Sequence, residues 1–221
     1  MPQKMSTDLP PELDPEPSGP RRLALVVAAH SAAAGAPPGV DVAAFEAACL
    51  ADTYEVLADL VEVTSAVAGP AEVEELLWPG SLHLPDLRPL ELATQVTPDW
   101  DELVVVPADV PDLPGLVLAK VFKVLHRSDV VVAPERGGTG CVALGVRLPV
   151  ADWLHDHAGV DLDTDPYEQL LAAAPARGRC VRAPDWHRLR TPGGLGRLDP
   201  GLEGWEETRA LLAGTAGRAG A

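Results

Sequence analysis

The chain has 221 residues, enough for one domain with a substantial core and too few for two of ordinary size. Its 33 acidic and 17 basic side chains give a formal net charge of −16, which repels nucleic acid and anionic membrane, so neither is an expected partner. Cys49, Cys141 and Cys180 are scattered, without a Cys-x-x-Cys pair, which signals neither a disulfide framework nor a zinc knuckle. With no apolar run of about 18 residues and no signal-peptide pattern, the expectation is a soluble, cytoplasmic protein.

Residues 1–20 place Asp8, Glu12, Asp14 and Glu16 among six prolines and read as a disordered acidic tail. Leu23 to Ala29 is a short apolar run, the first buried strand. The loop after it, His30 to Asp41, contains Gly35 and Gly39, where main-chain N–H groups can approach a phosphate. No Lys or Arg lies between Arg22 and Arg88, however, so this loop brings no positive charge to a polyphosphate. Asp41 reads as the N-cap of an amphipathic helix carrying Val42, Phe45, Cys49, Thr53, Val56 and Leu57 on its apolar face. Cys49 there reads as a small buried hydrophobe.

A second strand is expected at Leu60–Val67, a short helix at Ala71–Leu77, and a short strand at Leu92–Val96. His83 reads as a solvated loop histidine. Leu103 to Val106 is the branched run of a strand covered on both faces, and it stops at Pro107 just before Asp109. In open α/β sheets ligands sit beyond the carboxyl ends of the strands, which makes Asp109 a candidate site residue. Asp112 follows three residues later; the two carboxylates could hold Mg²⁺ together, but Asp112 reads rather as a cap for a helix starting near Pro114, with Leu118, Val121, Phe122 and Leu125 inward. Val130–Ala133 and Cys141–Val146 are two further strands. The turn between them, Arg136-Gly137-Gly138-Thr139-Gly140, reads either as an anion-binding turn or as an ordinary hairpin.

His155, His157, Asp161, Asp163 and Asp165 together resemble a metal cluster, but Pro166 stands where an EF-hand loop needs glycine. Asp165-Pro-Tyr-Glu168 reads instead as a capping box that opens a helix over Tyr167–Ala174. Arg179 to Ala183 is an expected edge strand, followed by Pro184–Arg190, the most basic stretch, whose arginines either meet a phosphate or pair with surface carboxylates. A helix over Trp205–Leu212 closes the folded part, and residues 213–221 read as a flexible tail. The alternation of strands and helices predicts one α/β domain over residues 21–212, three layers deep, with a mostly parallel sheet.

The order "apolar strand, Ala-Asp-x-Pro-x-Leu, helix, strand, Ala-Pro-x-Arg-x-Gly-Thr-Gly" over residues 100–150 resembles the 2-phospho-L-lactate guanylyltransferases, within the nucleotide-diphospho-sugar transferase (GT-A) superfamily. It is also similar to a glycosyltransferase-like branch of that superfamily. The resemblance implies a Rossmann-like GT-A fold and Mg²⁺-dependent transfer of GMP from GTP to a small phosphorylated acid. It implies Asp109 as the catalytic metal carboxylate and Asp199, in Asp199-Pro-Gly-Leu-Glu203, as its partner, the second aspartate of the family's Asp-x-Asp-x-Pro being absent. Arg136, Gly137, Gly138, Thr139, Gly140 and Gly159 would hold the acceptor. Cys141 stands where these enzymes have a threonine touching the acceptor. Two alternatives stand beside this reading. One is glycosyl transfer from a nucleotide-sugar at the same mouth. The other is a degenerate, non-catalytic member of the fold that binds a small anion or a protein partner, supported by the missing basic loop, the altered acceptor positions and the acidic surface.

Overall fold

A period of two along each strand distributes the apolar side chains to both faces of one sheet, and that distribution sets the architecture. In β1 (Arg22–Val27), Leu23 and Leu25 enter one core cluster while Ala24 and Val26 enter the other. The same split separates Leu103 and Val105 from Val104 and Val106 in β4 (Glu102–Pro107). The computed structural model describes residues 19–28 and 30–219; the expected acidic tail therefore lies outside the described residues except for Gly19 and Pro20.

Among the described residues seven strands form the sheet: β1, β2 (Thr64–Ala68), β3 (Leu82–Leu84), β4, β5 (Val130–Pro134), β6 (Cys141–Arg147) and β7 (Cys180–Arg182). Their spatial order is β3-β2-β1-β4-β6-β5-β7. β6 runs antiparallel to β4 and β5, and the other pairings are parallel. On one face lie α1 (Val42–Ala58) and α3 (Gly115–Leu125), burying Leu50, Tyr54, Leu57, Leu118, Val121 and Phe122. On the other lie α2 (Pro89–Val96), a 3₁₀ turn at Asp152–His157 and α4 (Tyr167–Ala173), through Leu92, Leu154 and Leu170. The result is the expected three-layer α/β domain with a mostly parallel sheet.

A third, smaller core lies beyond the carboxyl edge of the sheet. Phe45 and Cys49 of α1 pack there with Leu189, Leu198 and Trp205, next to the 3₁₀ turn His30–Gly35 and the last helix, α5 (Glu206–Ala219). This core fixes the segment after β7 above the mouth of the sheet.

Several local expectations are corrected. Leu92–Val96 is helical: Pro89 opens α2 and the Glu91 carboxylate accepts the Arg88 N–H at 3.1 Å, a helix-start arrangement that overrides the β-branched Thr and Val. β3 at Leu82–Leu84 was not foreseen, because three residues show too little alternation to read. Asp112 does not cap α3, whose cap position is Pro114. Asp165 accepts the Tyr167 N–H, but its second oxygen pairs with Arg182, so α4 opens without the reciprocal Glu168 bond. His83 is held between the Glu74 carboxylate and the Gly69 carbonyl, each at 2.9 Å; the Gly69 carbonyl chiefly, with Glu74, raises its pKa. The last helix continues well past Leu212, through most of the stretch expected to be a tail.

Candidate functional site at the carboxyl edge of the sheet

β1 and β4 lie side by side and in register, Val27 opposite Pro107, and Asp109 follows two residues beyond that edge. The chain placement is the one expected for a ligand mouth, but the carboxylate is fully buried and faces a guanidinium. Arg188, equally buried, donates from Nε to Asp109 Oδ1 at 2.7 Å and from Nη2 to Oδ2 at 2.9 Å. Its Nη1 donates to the carbonyls of Cys141 and Leu162, and Nη2 also reaches Asp163 Oδ1 at 3.0 Å. Burial opposes a charge on Arg188, but Asp109 and Asp163 outweigh it and raise the guanidinium's pKa. A bidentate pair with its remaining donors on carbonyls is the geometry that makes a buried ion pair tolerable.

The backbone reinforces this closure. Leu189 N–H donates to the Asp109 carbonyl at 2.8 Å. A side chain at Gly35 would collide with the Leu189 carbonyl, so Gly35 permits the loop after β1 to lie directly against this segment. The position expected to receive a phosphate is thus packed against the chain's own main chain.

The Arg136–Gly140 turn is the hairpin joining β5 to β6, closed by Glu135 N–H to the Gly140 carbonyl at 2.8 Å. Gly137 takes the left-handed conformation at φ 73°. The Glu135 carboxylate is tucked under the turn, accepting the Gly140 N–H at 3.1 Å and meeting Arg190 at 3.3 Å. A Cβ on Gly138 would strike that carboxylate. The Gly140 N–H therefore already meets an anion that belongs to the chain, and the Arg136 N–H is taken by the Trp186 carbonyl.

Arg136 pairs with Asp185 at 2.9 Å and lies 5.3 Å from the centre of the Trp186 ring. The hydrogen bond it donates to Asp185 raises its pKa. The Thr139 carbonyl accepts the Asp165 N–H, and the Gly159 carbonyl accepts Arg88 Nη1 at 2.5 Å. Asp199 does not join Asp109: its Oδ1 accepts Gly201 N–H at 2.8 Å, and its own N–H donates to Asp112 Oδ2 at 3.3 Å. The Asp161 side chain organises its own loop, taking Asp163 N–H, Thr164 N–H and the Thr164 hydroxyl, each at 2.9 Å. Burial alone would raise the Asp161 pKa, and those donors hold it below the ordinary value.

A divalent cation needs carboxylate oxygens open to it. Both oxygens of Asp109 are on Arg188, and the described residues contain no group of three His, Cys, Asp or Glu side chains able to hold a metal. The residues as arranged do not fit Mg²⁺.

Arg188, Arg190, Glu135 and Asp163 organise the site; the sequence offers the arginines of Pro184–Arg190 only as phosphate or surface-carboxylate partners and Asp163 only within a metal-like cluster, and it does not mark Glu135. A signal was nevertheless present. Arg188-Leu189-Arg190-Thr191-Pro192 has the spacing of the Asp-x-Asp-x-Pro that the resemblance implies, with arginine at both aspartate positions.

What remains open at the mouth is a cleft in two parts. One, about 310 Å³, is lined by Val27, Asp86, Arg88, Asp161, Asp163 and Arg188. The other, about 510 Å³, lies between α1 and the ends of β1, β2 and β4, with Glu46, Leu50, Gly69, Val73, Asp86 and Ala108 on its walls. Carboxylates outnumber cations along both.

Strand order and layering define a single Rossmann-like α/β domain with a mostly parallel sheet. Residues 88–151 match the family model described as "Guanylyl transferase CofC like". The fold is similar to that of a protein from Desulfovibrio desulfuricans G20 assigned as a nucleotide-diphospho-sugar transferase, with a TM-score of 0.61 and 17% identity over 89% of this chain and 99% of that one. It is also similar to 4-diphosphocytidyl-2C-methyl-D-erythritol synthase from Anaerococcus prevotii DSM 20548, with a TM-score of 0.52 and 9% identity over 86% of this chain and 96% of that one. No curated protein matches the chain. Among the described residues no helix is long and apolar enough to cross a membrane.

Proposed function

We propose that this chain is a binding member of the nucleotidyltransferase-like fold in which an internal arginine has taken the place of the catalytic metal. The observation that carries this reading is the bidentate Arg188–Asp109 pair, with both side chains wholly buried. Nucleotidyl transfer relies on cations that neutralise the charge developing on the phosphates. Here the aspartate expected to hold the cation is neutralised internally. The acid-lined cleft also repels a triphosphate, so its ligand is a small molecule of low negative charge, a nucleoside-like group fitting the cleft in size.

The second reading is a working Mg²⁺-dependent transferase that passes GMP, or a sugar from a nucleotide-sugar, to an acceptor. It is supported by the family-model match over residues 88–151. In that case Arg188 must withdraw from Asp109 when nucleotide and metal arrive.

Calorimetric titration with GTP and with nucleotide-sugars, each with and without Mg²⁺, separates the two. The binding reading expects no Mg²⁺-dependent heat and no pyrophosphate release with phosphorylated acids as acceptors. Mg²⁺-dependent binding that is lost in Asp109→Ala would overturn it in favour of the transferase.

A further inference from the structure

The opposite end of the sheet has the opposite charge. There the start of β1, the end of α3 and the turn before β7 surround a groove of about 730 Å³ lined by Arg22, Lys123, His126, Arg127, Arg177 and Arg179. Five of the chain's 17 Lys and Arg residues thus converge on one groove in a molecule of net charge −16, and no Asp or Glu lines it.

Part of this basicity has a local explanation. Lys123, His126 and Arg127 sit at the C-terminal end of α3, where cations complement the helix dipole. Arg22, Arg177 and Arg179 belong to other elements, so the dipole does not account for them. Two of them are held in place from beneath. Arg22 pairs with the buried Glu102 at 2.9 Å and lies 5.7 Å from the centre of the Phe122 ring; Arg179 pairs with the buried Asp129 at 2.9 Å. Asp129 also meets Arg147 at 2.6 Å, so one carboxylate is shared by two guanidiniums and the trio keeps one net positive charge. Lys123, Arg127 and Arg177 form no ion pair among the described residues, and all three are exposed. Fixed arginines beneath free ones make a pre-organised cationic surface, which lowers the ordering cost of binding an anion.

We propose that this groove is a binding site for a small polyanion bearing two or more phosphoryl groups. A single phosphate would engage one arginine fork, whereas the spread of cations over three elements and the volume of the groove suit a diphosphate or larger. The site is independent of the mouth, being at the other end of the strands.

The test is titration of the full chain with inorganic pyrophosphate in the absence of divalent cations, followed by calorimetry and by ³¹P line broadening. Saturable one-to-one binding is expected, weakening as salt is added. Arg127→Glu and Arg177→Glu, both exposed, are each expected to weaken it by about tenfold or more, a loss of about 1.4 kcal/mol per tenfold. Arg197→Glu, exposed and near the other end of the sheet, where it donates to the Arg136 carbonyl, should leave it unchanged. Circular dichroism of each variant checks that the fold persists. No binding at millimolar pyrophosphate, or equal weakening by Arg197→Glu, would overturn the proposal.

Discussion

Arg188 covers both carboxylate oxygens of Asp109, 79 residues away, at 2.7 and 2.9 Å, and neither side chain reaches solvent. The pair costs desolvation on both sides and is balanced only while it is complete. Arg188→Met should therefore destabilise the fold by about 3–5 kcal/mol, because it leaves Asp109 buried without its guanidinium. Adding Asp109→Leu to that change should recover most of the loss. Urea unfolding of the two single variants and the double variant measures the coupling directly. A cost below about 1 kcal/mol for Arg188→Met would mean that the pair is not closed in solution.

The sheet was legible because branched apolar runs such as Leu103–Val106 and Val130–Ala133 have no other way to be buried. α3 was legible from the spacing of Leu118, Val121, Phe122 and Leu125. The mouth was legible only as a place. Asp109 follows its strand as expected, but whether a carboxylate is open or paired depends on what the segment after β7 does, and the trace of that closure lies far along the chain, in the arginines of Arg188-Leu189-Arg190-Thr191-Pro192. The same holds for the Arg136–Gly140 turn: its glycines announce a close approach, and only the folded hairpin reveals that the approaching anion is Glu135. Local periodicity reports which face of an element is buried, whereas pairing between distant polar groups is a property of the assembled fold.

The three thiols provide a simple test of packing. Burial pushes Cys49 and Cys141 up to about 12 and Cys180 up to about 11, so almost no thiolate exists at neutral pH. A thiol-reactive dye at pH 8 should find no fast-reacting group in the native protein and three equivalents in denaturant. One rapidly titrating thiol before denaturation would show that the core around it opens readily.

Gly35 was expected to serve a phosphate, and the structure gives it a packing role. A Cβ there would strike the Leu189 carbonyl, which belongs to main chain and is tied to Asp109 through the Leu189 N–H. Gly35→Ala should destabilise by about 1–3 kcal/mol, the usual range for overpacking. Gly196→Ala, with open space around its Cβ position, is the control and should have little effect. Thermal unfolding compares the two. Equal melting temperatures for both variants would argue that the loop after β1 stands away from the closing segment.

Asp52 links the first helix to the last. It lies fully buried in α1, and its two oxygens accept the Glu207 N–H at 3.0 Å and the Thr208 N–H at 2.8 Å, capping α5 from a distance of 155 residues. Burial raises its pKa above the ordinary carboxylate value, although the hydrogen bonds from Thr208 and Glu207 pull the other way. A raised folded pKa means that the folded protein binds the proton more tightly than the unfolded chain. Its favourable contribution is therefore complete below about pH 4 and declines as pH rises through the folded value. Asp52→Asn keeps one acceptor and never carries the charge, so it should match the parent in acid and equal or exceed its stability at pH 7. Asp52→Ala removes the cap altogether and should cost about 0.5–2 kcal/mol at either pH. Denaturant unfolding at pH 4 and pH 7 measures all three proteins. If the parent were clearly more stable than Asp52→Asn at pH 7, the α5 N–H groups would outweigh burial and the direction of the shift would be reversed.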